Sequence, residues 1–444
     1  MAKSDKALPL VLLVWMLLAL TASPAFSRTL ETGARTSAAG PPLDFDAAAR
    51  LALRQSPLFT RSALEIELKR LDETDSRSAF LPSVTLRTRY FVHRPEDPHL
   101  NPRSYSVSFL TEDYNPIKAY FSLQIRKLLT RMAILSHLRV IADGLHRLAR
   151  VFLQLDALAR LAPLQQEMVE LAKKNLTYVR QREKMGEAAA YEVRLADREL
   201  ALTRLEQKHL AESRDSLREA LKTLLGLQPE ASVSLDLNQA RRQILEDFQA
   251  ARASLAEVLR RSFDLQIQAL KQELQAKNVS LAKARLLPSV FLGVETPDPL
   301  STVRTRGYFF SIGLKWPVWD GFRRLRNISR QKTILKQFAA ESELTEMELT
   351  EKWREAAERL RVALRALKLA QAKEEVARLK AQKSELRYRT GEPLGLLLES
   401  RRQHLEARRD TLLKSLEYDL ALLALRHLSG DLVTHYVEES SWQN

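Results

Sequence analysis

The 444-residue sequence contains no cysteine. That excludes a disulfide framework, thiolate metal ligation, a cysteine nucleophile and an acylated cysteine anchor. Glycine is scarce: 12 residues, well below the roughly 7% of ordinary globular chains, which argues against a loop-rich β or α/β enzyme. No GxGxxG, phosphate-binding loop, HExxH or GxSxG motif occurs, so no enzyme activity is expected. The eight histidines are scattered, and His93 and His99 share a stretch with no helical or cysteine partner, so neither a metal nor a cofactor is expected. Acidic residues are in deficit, 55 against 70 Lys+Arg, for a formal charge of +15. Basic runs such as Arg401-Arg402 and Arg408-Arg409 lack interleaved aromatics, which fits solvated helix faces better than nucleic-acid binding. With 45% hydrophobic and 28% charged residues, the chain is neither disordered nor a polytopic helical membrane protein. Most of it reads as long amphipathic helix.

Only Leu8–Ala22 forms a long apolar run; Lys3 and Lys6 precede it and Ser23-Pro24-Ala25-Phe26-Ser27 follows. A charged start, a short apolar stretch and small residues make up a secretory signal peptide, so residues 1–27 are expected to be removed after Ala25 or Ser27. The alternative, an N-terminal membrane anchor, needs roughly 20 apolar residues.

Beyond residue 28 one unit is written twice. Leu81-Pro82-Ser83-Val84 recurs as Leu287-Pro288-Ser289-Val290, and Leu53-Arg54-Gln55-Ser56 meets Leu259-Arg260-Arg261-Ser262. Gly186-Glu187 then matches Gly391-Glu392, and Gly226 matches Gly430. Ordered landmarks at a near-constant offset signal a duplicated domain, since solenoid repeats are far shorter. The expected division is residues 28–226, a 227–252 linker or equatorial segment, residues 253–432, and a 433–444 tail.

Each copy reads as helix, strand pair, long helix, turn and helix. Leu43–Phe80 and Ala253–Leu286 carry apolar residues at helical spacing and stop before a proline. The period then changes to two. Strands are expected at about 83–92 and 119–126 in the first copy, and at about 289–296 and 307–317 in the second. Helical hairpins are expected at about 127–225 and 323–428. Strands of 9–10 residues match tilted membrane strands, and Tyr90, Tyr120, Tyr308, Trp316 and Trp319 near their ends fit aromatic girdles. An ordinary half-buried sheet gives the same alternation. Arg87, Arg89 and Lys315 fall on the polar strand face, which in a barrel is the lumen; a basic lumen favours anions.

Arg323–Tyr388 spans roughly 100 Å as a helix, and leucines such as Leu202, Leu205, Leu217, Leu221 and Leu224 suit coiled-coil packing. Four membrane strands cannot close a barrel, because bilayer strands tolerate no open edge. Copies must combine; three would give twelve strands, and a dimer with eight is also permitted. The fold class is therefore mainly α with a small β part: duplicated helical hairpins forming an α-helical barrel, plus four membrane strands per chain. A periplasmic coiled-coil structural or adaptor protein without channel activity is the alternative, but it leaves the strand pairs unexplained.

The signal peptide, the two repeats, the Leu-Pro-Ser strand openings and the run Phe310-Ser311-Ile312-Gly313-Leu314-Lys315-Trp316-Pro317-Val318-Trp319-Asp320-Gly321 closely resemble the TolC-like outer-membrane factor family. The resemblance implies a homotrimer with a twelve-stranded barrel in outer-membrane lipid and a periplasmic α-helical barrel. It also implies docking to a periplasmic adaptor (membrane fusion protein) and to an inner-membrane pump or secretion transporter, as in efflux or type I secretion. Drug, metal and polypeptide cargo remain alternatives.

The same resemblance supplies site residues. Pro317, Asp320 and Gly321 take the chain from strand to helix, whereas the first copy has Gln124-Ile125-Arg126-Lys127-Leu128-Leu129 at the expected exit. Gly186 and Gly391 mark the tip turns, where acidic side chains form the family's periplasmic gate. Glu192 matches the first acidic position, and Glu399 the second once one residue is deleted; without a gap Leu397 stands there. Arg194, Arg387, Tyr388 and Arg389 are the expected partners, unless these are solvated helix charges worth under ~1 kcal/mol per pair.

Overall fold

The computed structural model describes residues 42–80, 83–90, 103–245, 254–295, 309–316 and 318–437. The signal segment 1–27, His93, His99, Tyr308 and Pro317 lie outside them. The first repeat comprises α1 (Phe45–Gln55), α2 (Pro57–Ser78), β1 (Ser83–Tyr90), β2 (Arg103–Tyr114), α3 (Pro116–Lys184) and α4 (Ala190–Leu225). After α5 (Leu237–Leu245) the pattern returns as α6 (Leu255–Arg261), α7 (Phe263–Ala284), β3 (Ser289–Glu295), β4 (Phe309–Lys315), α8 (Arg323–Arg389) and α9 (Leu394–Leu428), followed by α10 (Asp431–Val437). Among the described residues no helix is long and apolar enough to cross a membrane.

The opening helix of each repeat breaks once, at Ser56 and at Ser262, each with extended-type backbone (ψ 124 and 120). At Ser56 the cause is Pro57, which disfavours helical geometry in the residue before it and then starts α2. At Ser262 the hydroxyl accepts from Leu265 N at 3.4 Å and caps α7. The return helix of each repeat ends in a left-handed glycine, Gly226 (φ 72) and Gly430 (φ 73), set beside that break. A Cβ on Gly226 would stand 2.5 Å from the Gln55 carbonyl oxygen; on Gly430 it would meet Arg261 Cβ at 4.0 Å.

The second strand of the first repeat is a correction. It occupies Arg103–Tyr114 instead of the expected 119–126, and residues 119–126 are helical. Asn115-Pro116 makes the switch: Asn115 Oδ1 accepts from Lys118 N at 3.0 Å, and Pro116 supplies a helix-ready first position. Phe121, Leu123 and Ile125 alternate only within a window too short to separate the two periods, and Ile125 leads on at helical spacing to buried Leu128.

The strands form one antiparallel sheet in the order β1-β2-β3-β4, and β2–β3 joins the two repeats. Register aligns Val84 with Phe109, Phe109 with Val294 and Val294 with Phe310, so one face is apolar across all four strands. Positions on the other face include Arg87 opposite Ser106, Arg89 opposite Ser104, and Ser289 opposite Lys315. Among the described residues β1 and β4 each have a single strand neighbour.

The main core lies at the waist, where α1, α3, α4, α5, α9 and α10 meet around Phe45, Leu145, Phe152, Leu221, Ile244 and Leu423. Phe45 packs edge-on against Phe152 and Tyr436, with centroids 6.0 and 6.2 Å apart. Val433 and Tyr436 are buried, and the Tyr436 hydroxyl donates to Asp46. Helix α10 thus docks on the waist core just beyond Gly430. Arg241 bridges to Asp419 at 2.8 Å and to Asp156 at 3.7 Å, tying α5 to α9 and α3. Burial pushes both carboxyls above the usual range, against the pull of the neighbouring arginines.

Candidate functional site

At the first hairpin tip, α3 ends in a turn through Gly186 (φ 77), and Glu187 N donates to Arg182 O at 2.8 Å. That bond spans six residues and closes the helix end, a geometry that needs a left-handed residue at position 186. Glu192 Oε1 then accepts from Ala189 N at 3.3 Å, capping the start of α4. Arg182 gathers the turn: Nη2 donates to the Glu187 carbonyl at 2.8 Å, Nε lies 3.8 Å from the Glu187 carboxylate, and Nη1 lies 3.7 Å from Glu192.

The second tip repeats the arrangement. Gly391 (φ 105) turns the chain, Glu392 N donates to Arg387 O at 3.1 Å, and Arg387 Nη1 lies 3.3 Å from the Glu392 carboxylate. Arg389 pairs with Glu385 at 3.2 Å, and Arg401 reaches the same carboxylate from α9 at 3.4 Å. Glu399 is held by Arg402 through two bonds of 2.9 Å and by Gln403 at 2.8 Å. The Arg402 hydrogen bonds hold the Glu399 carboxyl below the usual range.

The structure thus pairs the expected acids with other partners. Glu192 takes Arg182 rather than Arg194, and Glu399 takes Arg402 rather than Arg387, Tyr388 or Arg389. Arg182 escaped the sequence reading, although Arg-x-x-x-Gly-Glu stands in both repeats at the 205-residue offset. The two tips lie side by side. A groove of about 560 Å³ between them is floored by Leu397 and Leu398, with Tyr178, Tyr388, Lys173 and Arg401 along its sides. Gly395 sits so close to Tyr178 that an added Cβ would be 3.1 Å from the ring.

At the opposite end, Asp320 Oδ2 accepts from Arg324 N at 3.2 Å and pairs with the Arg324 guanidinium at 3.1 Å. Gly321 (φ 63) and Phe322 (φ 62) are both left-handed, which turns the chain sharply from strand into α8. Trp319 packs edge-on to Phe322 at 4.8 Å, and Trp316 Nε1 donates to Leu286 O at 3.2 Å. Phe310 and Ile312 on β4 are 71% and 69% exposed within the single chain, and Trp319 is 73% exposed. An apolar strand face ending in exposed tryptophans is suited to lipid and its interface. Lys315 is exposed, and by register it shares the polar face with the positions of Arg87 and Arg89.

Residues 255–431 match the family model of the outer membrane efflux protein. No curated protein matches the sequence. Among solved structures, the chain is similar to the outer membrane protein VceC of Vibrio cholerae at 14% identity, with a TM-score of 0.68 over 87% of this chain and 96% of that one. The CmeC outer membrane channel of Campylobacter jejuni gives 16%, 0.69, 89% and 88%, and the open state of the MtrE outer membrane channel of Neisseria gonorrhoeae gives 16%, 0.70, 87% and 88%.

Proposed function

We propose that the chain, whose residues 255–431 match the outer membrane efflux protein family model, is a TolC-like outer-membrane factor and the channel subunit of a tripartite export system. It lies in the outer membrane with its helical part in the periplasm. Three copies complete a twelve-stranded barrel, and their hairpins continue it as a periplasmic tube. The observation that carries this reading is the four-stranded sheet, apolar on one face and polar on the other, with β1 and β4 as open edges among the described residues. Open edges are not tolerated in lipid, so they are satisfied by neighbouring copies.

The protein conducts passively and does no covalent chemistry; energy comes from an inner-membrane pump or secretion transporter coupled through a periplasmic adaptor. Cargo leaves past the tips of the helical hairpins, where Glu192 and its partners form the gate, and through a lumen whose polar face carries Arg87, Arg89 and Lys315. A fixed positive lining raises the local concentration of anions, so anionic or amphiphilic cargo is favoured. Extraction from outer membranes, with mass and single-channel conductance measured on the same preparation, tests the proposal. A mature protein that needs no detergent and conducts nothing would instead support a periplasmic coiled-coil role.

A further inference from the structure

The basic excess of the chain is concentrated at one level. Residues 274–294 and 321–340 hold nine lysines and arginines and no acidic residue. These segments are the end of α7 with β3 and the start of α8, which pack together at the foot of the sheet. In the first repeat the matching cations are answered within the chain. Arg77, the counterpart of Lys283, pairs with Glu73 at 2.9 Å, and Arg126 pairs with Asp72 at 3.3 Å. In the second repeat Lys283, Arg285, Arg323 and Arg326 are all exposed, and none pairs with a carboxylate among the described residues. The acid beside them, Asp320, is taken by Arg324 at 3.1 Å. Helix formation does not account for these charges either. The first turn of α8 carries arginines and no acid, although the positive end of the helix dipole disfavours cations there.

The same cations border the end of the apolar sheet face. Trp316 continues the alternation of Phe310, Ile312 and Leu314, and like them it is exposed within the single chain. Its Nε1 donates to Leu286 O, while Arg324 Nη1 donates to the neighbouring Arg285 carbonyl, both at 3.2 Å. These two bonds fix the end of α7 against the tryptophan and the start of α8. Lys283 and Arg285 therefore stand one turn or less before the Trp316 contact, and Arg323 and Arg326 follow Trp319 in the first turn of α8. Long basic side chains lay their stems along apolar surface and keep the charge in the polar layer, which is roughly 5–7 Å thick on each side of the hydrocarbon.

We propose that this junction binds anionic phospholipid headgroups of the periplasmic leaflet. Trp316 and Trp319 sit in the interface, and Lys283, Arg285, Arg323 and Arg326 supply the counter-charge. The inference rests on the outer-membrane reading and extends it from a place in the bilayer to a choice among its lipids. Phosphatidylethanolamine brings its own ammonium, which the cations repel, whereas phosphatidylglycerol presents a phosphodiester alone. The surface therefore selects phosphatidylglycerol.

The test uses the full-length protein in mixed vesicles of the two lipids, with brominated chains on one or the other to quench tryptophan. At low salt, brominated phosphatidylglycerol is expected to quench about threefold to tenfold more effectively, mole for mole. Trp316→Phe with Trp319→Phe should remove most of that quenching. Changing Lys283, Arg285, Arg323 and Arg326 together to Gln should bring the ratio of the two lipids to about one. Salt at about 0.5 M should do the same to the unmodified protein, so the test does not depend on the variant folding. Equal quenching by both lipids in the wild-type protein at low salt would overturn the site and leave the membrane reading in place. No quenching by either lipid would defeat the membrane reading and this site with it. A quadruple variant that keeps the lipid ratio but shifts the reversal potential would put these cations in the lumen, and would equally overturn the site.

Discussion

Arg387 Nη1 lies 3.3 Å from Glu392 across the second tip turn, and Arg182 stands in the same relation to Glu187 at the first, 205 residues earlier. Duplication has kept a guanidinium over each Gly-Glu turn. At the first tip that guanidinium also serves Glu192, the acid expected at the gate. Arg182→Met and Glu192→Ala are therefore expected to change single-channel conductance in the same direction. Thermal stability should move by under ~1 kcal/mol, because the pair is partly solvated. Unchanged conductance in both variants would remove Glu192 from the gate.

Gly226 and Gly430 occupy matching places but differ in their surroundings. Gly226→Ala combines a left-handed backbone with a Cβ 2.5 Å from the Gln55 carbonyl oxygen, whereas Gly430→Ala meets nothing nearer than 4.0 Å. The first substitution should cost about 2–3 kcal/mol and the second about 1. Melting temperatures of the two variants, measured side by side, check the order.

Much of this was legible because the chain repeats itself. The matched Leu-Arg-x-Ser, Leu-Pro-Ser-Val, Gly-Glu and Gly landmarks mark the breaks at Ser56 and Ser262, the strand starts, the tips and the helix ends. The second strand was missed because Asn115-Pro116 replaces the Pro-x-x-Asp-Gly exit of the other copy, and a proline-rich stretch hides the strand before it. The tip partners were missed for a different reason. Charges abound near Glu192 and Glu399, and side-chain direction decides among them: Arg402 comes from one turn along the same helix, Arg182 from across the tip turn. The Arg241–Asp419 bridge joins residues 178 apart, and no local pattern announces it.

His146 and His427 face each other between α3 and α9, with ring centroids 4.5 Å apart. Burial, helped by His427, Arg150 and Arg147 against the opposing pull of Asp143, lowers His146 to about 4 from 6.5. The folded state therefore resists a proton that the unfolded chain accepts. No stability is lost above pH 6.5; it falls as pH drops from 6.5 to about 4, by about 3 kcal/mol in all. His146→Phe should flatten this acid limb in melting curves taken between those pH values, and a limb of unchanged slope would contradict it.

Arg87, Arg89 and Lys315 share the polar face by register. Replacing all three by glutamate is expected to move the reversal potential in a salt gradient from anion toward cation preference. A wild-type channel that already prefers cations would assign the basic excess to the outer helix faces instead.

The proposed trimer sets β4 of one copy beside β1 of the next and closes the ring at three. With no native cysteine, a pair placed on the polar face, Arg87→Cys with Gly313→Cys and its neighbours in the same antiparallel register (Thr85 with Lys315, Arg89 with Ser311), reports only contacts between these edges. On oxidation in outer membranes, at least one pair should give a ladder of covalent dimer and trimer that ends at three. A ladder ending at two, or no cross-link at any register, would contradict the twelve-stranded barrel.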